Sequence, residues 1–250
     1  MDLTILIKTF KRKDILFNEC LRSIRKYYPD IPVFILNDDN ETLTTNLNNT
    51  MIINTEFNIG LSEGRNRLIK EVKTKYFLLL DDDSIFTEET KLEKFYDILE
   101  NTNFAIIGGV VDDDRKPFWL IEEKGNGKVL FEKEKSYGLL KKYNCQRCDA
   151  VKNFFMGNTK KFIDNNIQWD PELKVGEHNL FFYNVFKNHS KEIKIGFTPD
   201  VKIIQSKNRK TNKEYMRFRI KARELLEKAL PRYNIKYLKC LTGLIIKSYK

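Results

Sequence analysis

Three consecutive carboxylates, Asp81-Asp82-Asp83, stand directly after the apolar run Tyr76-Phe77-Leu78-Leu79-Leu80. A short, uncharged, β-prone run of this kind predicts a buried strand of a central sheet. Three acids at its carboxyl end repel one another and resist burial. A hard cation such as Mn²⁺ or Mg²⁺, acting with a phosphate-bearing ligand, resolves that repulsion. The competing interpretation is a solvated acidic turn. Two other runs also end in polar residues: Leu3–Ile7 gives way to Lys8-Thr9, and Val33–Leu36 to Asn37-Asp38-Asp39.

The elements that must position these groups alternate. Strands are predicted at Leu3–Ile7, Val33–Asn37, Met51–Asn54, Tyr76–Leu80 and Phe104–Val111, and helices at Ile15–Tyr27, Leu61–Val72 and Glu88–Glu100. Such alternation predicts an α/β fold with a mainly parallel sheet covered on both faces, whose ligands bind at the carboxyl ends of the strands. Beyond residue 112 the pattern is less regular. A helix is predicted at Glu177–Asn188, strands at Ile193–Phe197 and Val201–Ile204 around Pro199, and basic helices at Glu214–Leu230 and Tyr233–Tyr249.

Composition narrows the class. Of 250 residues, 41% are hydrophobic and 32% charged, which excludes a disordered chain, and no run of about 18 apolar residues could span a bilayer. The N-terminus reads as a first strand rather than a signal peptide, so a cytoplasmic location is expected. Cys145-Gln146-Arg147-Cys148 has CxxC spacing, but lacks a second pair or nearby histidines; reduced thiols or a local disulfide are expected rather than zinc. Of the net charge of +10, residues 207–250 carry +11, from fourteen Lys or Arg and three Glu. The expected division is therefore a catalytic domain over 1–206 and a basic helical tail over 207–250. Within the domain, the regular alternation covers 1–111 and the less regular part 112–206. The tail either lies on an anionic membrane surface, on its inner face, or packs as a solvated helix on its own domain. No nucleic acid is expected, since no recognition motif or aromatic ladder accompanies the charge.

Six segments in order carry a resemblance. They are Leu6–Arg12, Ser23–Pro29, Asn58–Asn66, Thr74–Phe86, Val151–Phe155 and Trp169–Phe182. The chain resembles GT-A-fold glycosyltransferases, within them the β-1,4-N-acetylgalactosaminyltransferase (GM2/GD2 synthase-like) group, and more distantly fukutin-related protein. The resemblance implies a Rossmann-like nucleotide-binding half over 1–111, an acceptor-binding half over 112–206, a UDP-sugar donor (UDP-GalNAc first), a glycan or glycolipid acceptor, Mn²⁺ or Mg²⁺, and inversion by single displacement. Other nucleotide sugars, a CDP-activated donor, or a non-catalytic binder of the same fold are the alternatives.

The same resemblance suggests roles. Lys8, Thr9 and Arg12 follow the strand that lies against the nucleobase. Asp38 or Asp39 can accept from uracil or ribose, the alternative being a plain turn. Arg65 can reach the diphosphate or the acidic triplet, or be an exposed helix arginine. Asp81 and Asp83 have DxD spacing, with Asp83 the foremost metal ligand, Asp81 beside it and Asp82 toward the donor. Glu177 or His178 can serve as base; otherwise they are a helix-terminal charge and a packed histidine. Asn153 can contact the donor sugar, and Trp169 either stacks on a sugar or sits in the core. Gln205 falls where relatives carry a metal-binding histidine, a departure that puts a strict metal requirement in doubt.

Overall fold

The computed structural model describes residues 1–112, 114, 117–208 and 212–248. Strand β1 (Leu3–Thr9) is buried along its whole length, as a run apolar on both faces must be in a covered sheet. A helical stretch follows, α1 (Lys13–Ile15) running through a π-helical segment at Leu16–Leu21 into α2 (Arg22–Tyr27). It presents Leu16, Cys20 and Ile24 to the core, as their spacing predicts. Then come β2 (Val33–Asn37), β3 (Thr50–Asn54), α3 (Leu61–Glu71), β4 (Tyr76–Asp81), β5 (Ser84–Phe86), α4 (Leu92–Asn101) and β6 (Phe104–Val111). Helix α4 starts later than predicted. The Thr90 hydroxyl accepts from the Thr87 amide and donates to the Lys202 carbonyl, holding 87–90 as a turn.

The second half holds β7 (Phe118–Lys124), β8 (Lys128–Lys133), β9 (Gly138–Leu140), β10 (Cys145–Cys148), β11 (Ala150–Val151), β12 (Phe154–Asn158), α5 (Thr159–Asp164), α6 (His178–His189) and β13 (Lys194–Gln205). The two strands predicted around Pro199 are one, with register shifts against β6. The chain closes with α7 (Lys213–Arg219), α8 (Ala222–Ala229), β14 (Tyr237–Lys239) and β15 (Ile245–Lys247).

Among the described residues the main sheet runs β3-β2-β1-β4-β12-β6-β13-β10-β9, with β5 paired to β13. The predicted parallel arrangement holds for β3-β2-β1-β4 and for the β6–β13 pair; the remaining pairings are antiparallel, so the sheet is mixed. Register sets Thr9 beside Asn37 and Lys8 beside Asp81, which brings the three polar strand ends flush.

The tail departs from expectation. Residues 233–248 do not form a second helix: β14 and β15 make a hairpin that joins β8 in a second sheet. Burial there alternates, with Leu238 and Ile246 inside and their neighbours outward, a period of two rather than 3.6. The predicted helix 214–230 is broken between α7 and α8. Leu226, Ala229, Leu230, Ile235, Leu238, Cys240 and Ile246 belong to the same core cluster as Phe131, Phe155 and Phe182. Residues 209–211 and 249–250 of the tail lie outside the described residues. All four cysteines are free and buried.

Candidate functional site

The site assembles where β1, β2 and β4 end. Lys8 and Asp38 form a buried ion pair, and the second Asp38 oxygen accepts from the Gly60 amide at 3.0 Å. Both Asp38 oxygens are thereby committed to the framework, leaving Asp39 as the acid nearer solvent, paired with Lys11 at 3.0 Å. Gly60 adopts φ +97°, and a Cβ there would lie 2.5 Å from the Lys174 backbone, so glycine alone fits. That junction starts α3 and carries Arg65 into the interior one turn later.

The three acids diverge. Asp82 is 1% exposed, accepting from the Thr9 hydroxyl at 2.7 Å and from Arg12. Asp83 accepts from Arg12 at 3.0 Å and stands 3.5 Å from the Gln205 amide nitrogen. Gln205 reaches it because β13 pairs with β5, setting Gln205 opposite Ser84. Asp81, whose side chain is 34% exposed, receives Arg65 at 3.0 Å. The other Arg65 nitrogen binds Glu177 at the start of α6, a contact buried on both sides. Burial, with repulsion from Asp81, pushes the Asp83 carboxyl up to about 6 against the opposing pull of Arg12, and burial raises Asp82 as well. Burial opposes the Arg65 charge, but Glu177 and Asp81 hold its pKa raised. Four carboxylates here face two guanidiniums, an excess of two negative charges that suits a divalent cation.

His178 follows Glu177. Its Nε2 lies 2.7 Å from the Val151 carbonyl, which can only accept, so Nε2 carries the proton and Nδ1 has a free lone pair without a protein partner. Burial lowers the imidazole pKa, keeping the ring neutral. Asn153, between β11 and β12, has its side-chain oxygen buried and unpartnered. Trp169 is a core residue, stacked on Phe181 at 4.1 Å with its face toward Arg65. Asp81, Asn153, His178 and Gln205 line one cleft of about 730 Å³ together with Trp119 and Arg219. A second cleft of about 720 Å³ holds Lys11, Arg12, Asp39 and Glu214.

The structure therefore brings sequence-predicted residues into two adjoining hydrogen-bonded groups, Thr9, Arg12, Asp82, Asp83 and Gln205 in one and Arg65, Asp81 and Glu177 in the other, which meet at the Asp81-Asp82 link. It sets Asn153 and His178 on the wall of the adjoining cleft, and gives Lys8 and Asp38 a supporting place behind it. Among the described residues no cluster of three or more His, Cys, Asp and Glu side chains is arranged to hold a metal ion. Sequence reasoning missed Tyr215 and Arg219. Tyr215 lies 4.1 Å from the Arg12 guanidinium, and its hydroxyl accepts from Arg219 at 2.8 Å. Their only signal was a basic helix in a distant tail.

Comparison with known proteins agrees with this geometry. The chain is 37% identical over 181 residues to Beta-1,4 N-acetylgalactosaminyltransferase 2 of Mus musculus, covering 72% of this chain and 35% of that protein. It is 30% identical over 216 residues to Beta-1,4 N-acetylgalactosaminyltransferase 1 of Rattus norvegicus, covering 78% and 40%. The chain thus spans between a third and two-fifths of these relatives' lengths. Among solved structures, S. aureus TarS 1-349 in complex with UDP superposes with a TM-score of 0.59 at 16% identity, covering 94% of this chain and 65% of that one. TarS 1-349 without UDP gives 0.57 at 16% identity, covering 91% and 64%. The GT-A architecture expected from the resemblance is the one found. The pattern of Glycosyl transferase family 2 runs over residues 4–165, from β1 through the acidic triplet into α5, and the chain belongs to that family.

Proposed function

We propose that this chain is a metal-assisted, inverting glycosyltransferase that moves a sugar, GalNAc first, from a UDP-sugar to a glycan acceptor. The observation that carries the reading is the excess of carboxylates at the end of β4 and the start of α6, next to a cleft lined by a neutral imidazole whose Nδ1 has no protein partner. The curated relatives named above support the donor assignment. Mn²⁺ or Mg²⁺ would be held by Asp83 and Asp81, with Gln205 supplying an amide oxygen, and would neutralise the diphosphate as UDP departs. The donor set fits, since such ions usually take one or two carboxylates and the substrate's own phosphates.

The chain's own groups divide the remaining work. Asp39 and Lys11 face the base and ribose end of the donor. Arg12 and Thr9 fix Asp82 and Asp83 in place. Glu177 is committed to Arg65 and orients it toward Asp81. His178, neutral through burial, is the proton acceptor for the acceptor hydroxyl, and Asn153 faces the donor sugar. Transfer from an α-linked UDP-sugar should then give a β-linked product. Proton NMR of the product anomeric centre tests this, and an α-linkage would rule out single displacement.

A membrane-linked acceptor is the reading we favour for the partner, with the protein cytoplasmic and peripheral. One observation supports it. Ile220, 77% exposed, sits between Arg217 and Arg219 on one side and Lys221 and Arg223 on the other, at the break between α7 and α8. The apolar side of α8 itself is buried in the core, so any docking would use this tip rather than the helix face. Co-sedimentation with anionic vesicles, lost in Ile220→Asp, tests it; equal sedimentation of both proteins would contradict it.

A further inference from the structure

We infer that Arg219, carried by α7 outside the region matched by the family pattern, is a diphosphate-binding residue of the donor site. The inference rests on the UDP-sugar reading and adds a residue to it.

Charge leads to this residue. Once a divalent cation balances the two surplus carboxylate charges, the diphosphate still brings its own negative charge, and the donor site must meet it with further N–H groups. The cations nearest the triplet are already engaged. Arg12 holds Asp82 and Asp83, Arg65 holds Asp81 and Glu177, and Lys8 holds Asp38. Lys11 is shared by Asp39 and Glu214.

Arg219 differs from all of these. It lines the cleft together with Asp81 and Gln205. Among the described residues its hydrogen-bond partner is the Tyr215 hydroxyl, at 2.8 Å, and it makes no ion pair with a carboxylate. A guanidinium carries five N–H donors in a planar fork that matches a phosphate. Here most of them remain available at the end of the acidic triplet.

Placement is also determined. The Tyr215 ring lies on the Arg12 guanidinium at 4.1 Å, and Phe218 packs edge-on against Phe10 at 4.9 Å. The Asn212 side chain donates to the Lys11 carbonyl at 2.5 Å and caps α7 by accepting from the Tyr215 amide at 2.9 Å. These contacts seat α7 across the β1 end, between the cleft holding Lys11 and Asp39 and the cleft holding Asp81 and His178. A donor with its base in the first and its sugar in the second must pass its diphosphate beneath Tyr215 and Arg219.

The test compares two ligands on the full chain by calorimetry in Mn²⁺. UDP carries the diphosphate and uridine does not. Arg219→Gln should weaken UDP binding about ten-fold or more while changing uridine binding by less than about two-fold, and Arg219→Lys should recover part of the loss. Unchanged UDP affinity in Arg219→Gln would overturn the inference with the donor reading intact. Equal weakening of UDP and uridine would overturn it too, by showing that Arg219 only seats α7. If the wild-type protein binds no UDP, the donor reading fails and the inference with it.

Discussion

Arg65 and Glu177 lie 112 positions apart in sequence and meet as an ion pair buried on both sides. The pair joins α3 to the start of α6, the helix that carries His178, and through its second nitrogen Arg65 also steadies Asp81. Removing Arg65 would leave Glu177 buried and unpaired, at about 3–5 kcal/mol; removing Glu177 leaves Arg65 with Asp81 alone and should cost less than that. Glu177→Gln keeps an acceptor and should cost less than Glu177→Ala. Both should lower turnover by at least about 10²-fold, since Asp81 loses its fixed position. Urea unfolding and initial rates on the two variants check this; wild-type rates in Glu177→Gln would contradict it.

Neighbouring acids should behave differently. Asp82 is buried under Thr9 and Arg12, so Asp82→Asn should lower stability by about 2–3 kcal/mol. Asp83→Asn keeps the side-chain shape and leaves Arg12 paired with Asp82, so it should cost less stability than Asp82→Asn while reducing Mn²⁺-stimulated turnover at least about 10²-fold. Melting temperatures and metal titrations of the two variants separate a framework acid from a ligand acid.

His178 gives a pH signature. Burial lowers its pKa below the ordinary 6.5, so the unfolded chain binds a proton that the folded chain refuses. Its contribution to stability is complete above about pH 6.5 and is lost as pH falls through that value toward the folded pKa. Replacing it, as in His178→Gln, should flatten the urea midpoint between about pH 6.5 and 5. If His178 takes the acceptor proton, wild-type kcat/KM should fall only below the ordinary imidazole range, and His178→Gln should lose at least about 10²-fold at every pH. Retained activity in that variant would remove it from the base role.

The tail should be inseparable from the domain. Ending the chain at Ser206 removes Leu226, Leu230, Ile235, Leu238 and Ile246 from the main core cluster. At about 1.5–3 kcal/mol for each buried Leu or Ile, the loss matches the whole net stability of about 5–15 kcal/mol typical of a domain. The truncated chain should be insoluble or bind a hydrophobic dye, and a soluble, cooperatively melting 1–206 fragment would contradict the packing described.

How much of this was legible in the sequence follows from the range of each signal. The strand ends at Lys8, Asn37 and Asp81 were legible because an apolar run ending in polar residues is local, and Phe104–Val111 is found with its predicted bounds. The Arg65–Glu177 pair depends on a contact across 112 positions, so Arg65 alone looked equally like a surface charge and Glu177 like a base or sugar-binding acid rather than a partner for Arg65. Asp38 resembled a ligand until Lys8 and the Gly60 amide were seen to occupy both oxygens. The hairpin at 237–247 was misread because its period-two burial spans only three residues per strand, too few to outweigh a basic composition that suits a helix. Arg219 and Tyr215 reach the site because Tyr215, Phe218 and Asn212 seat α7 against Arg12, Phe10 and Lys11 some two hundred positions away, contacts that nothing local encodes.

The most direct test is UDP release from a panel of UDP-sugars by the full chain, with Mn²⁺ and then with EDTA. Release from UDP-GalNAc, stimulated by Mn²⁺, suppressed by EDTA and abolished in Asp83→Ala, is the expected result. Release from a different sugar nucleotide would keep the enzyme class and contradict the donor. No release from any of them, with no UDP binding, would contradict the glycosyltransferase reading itself.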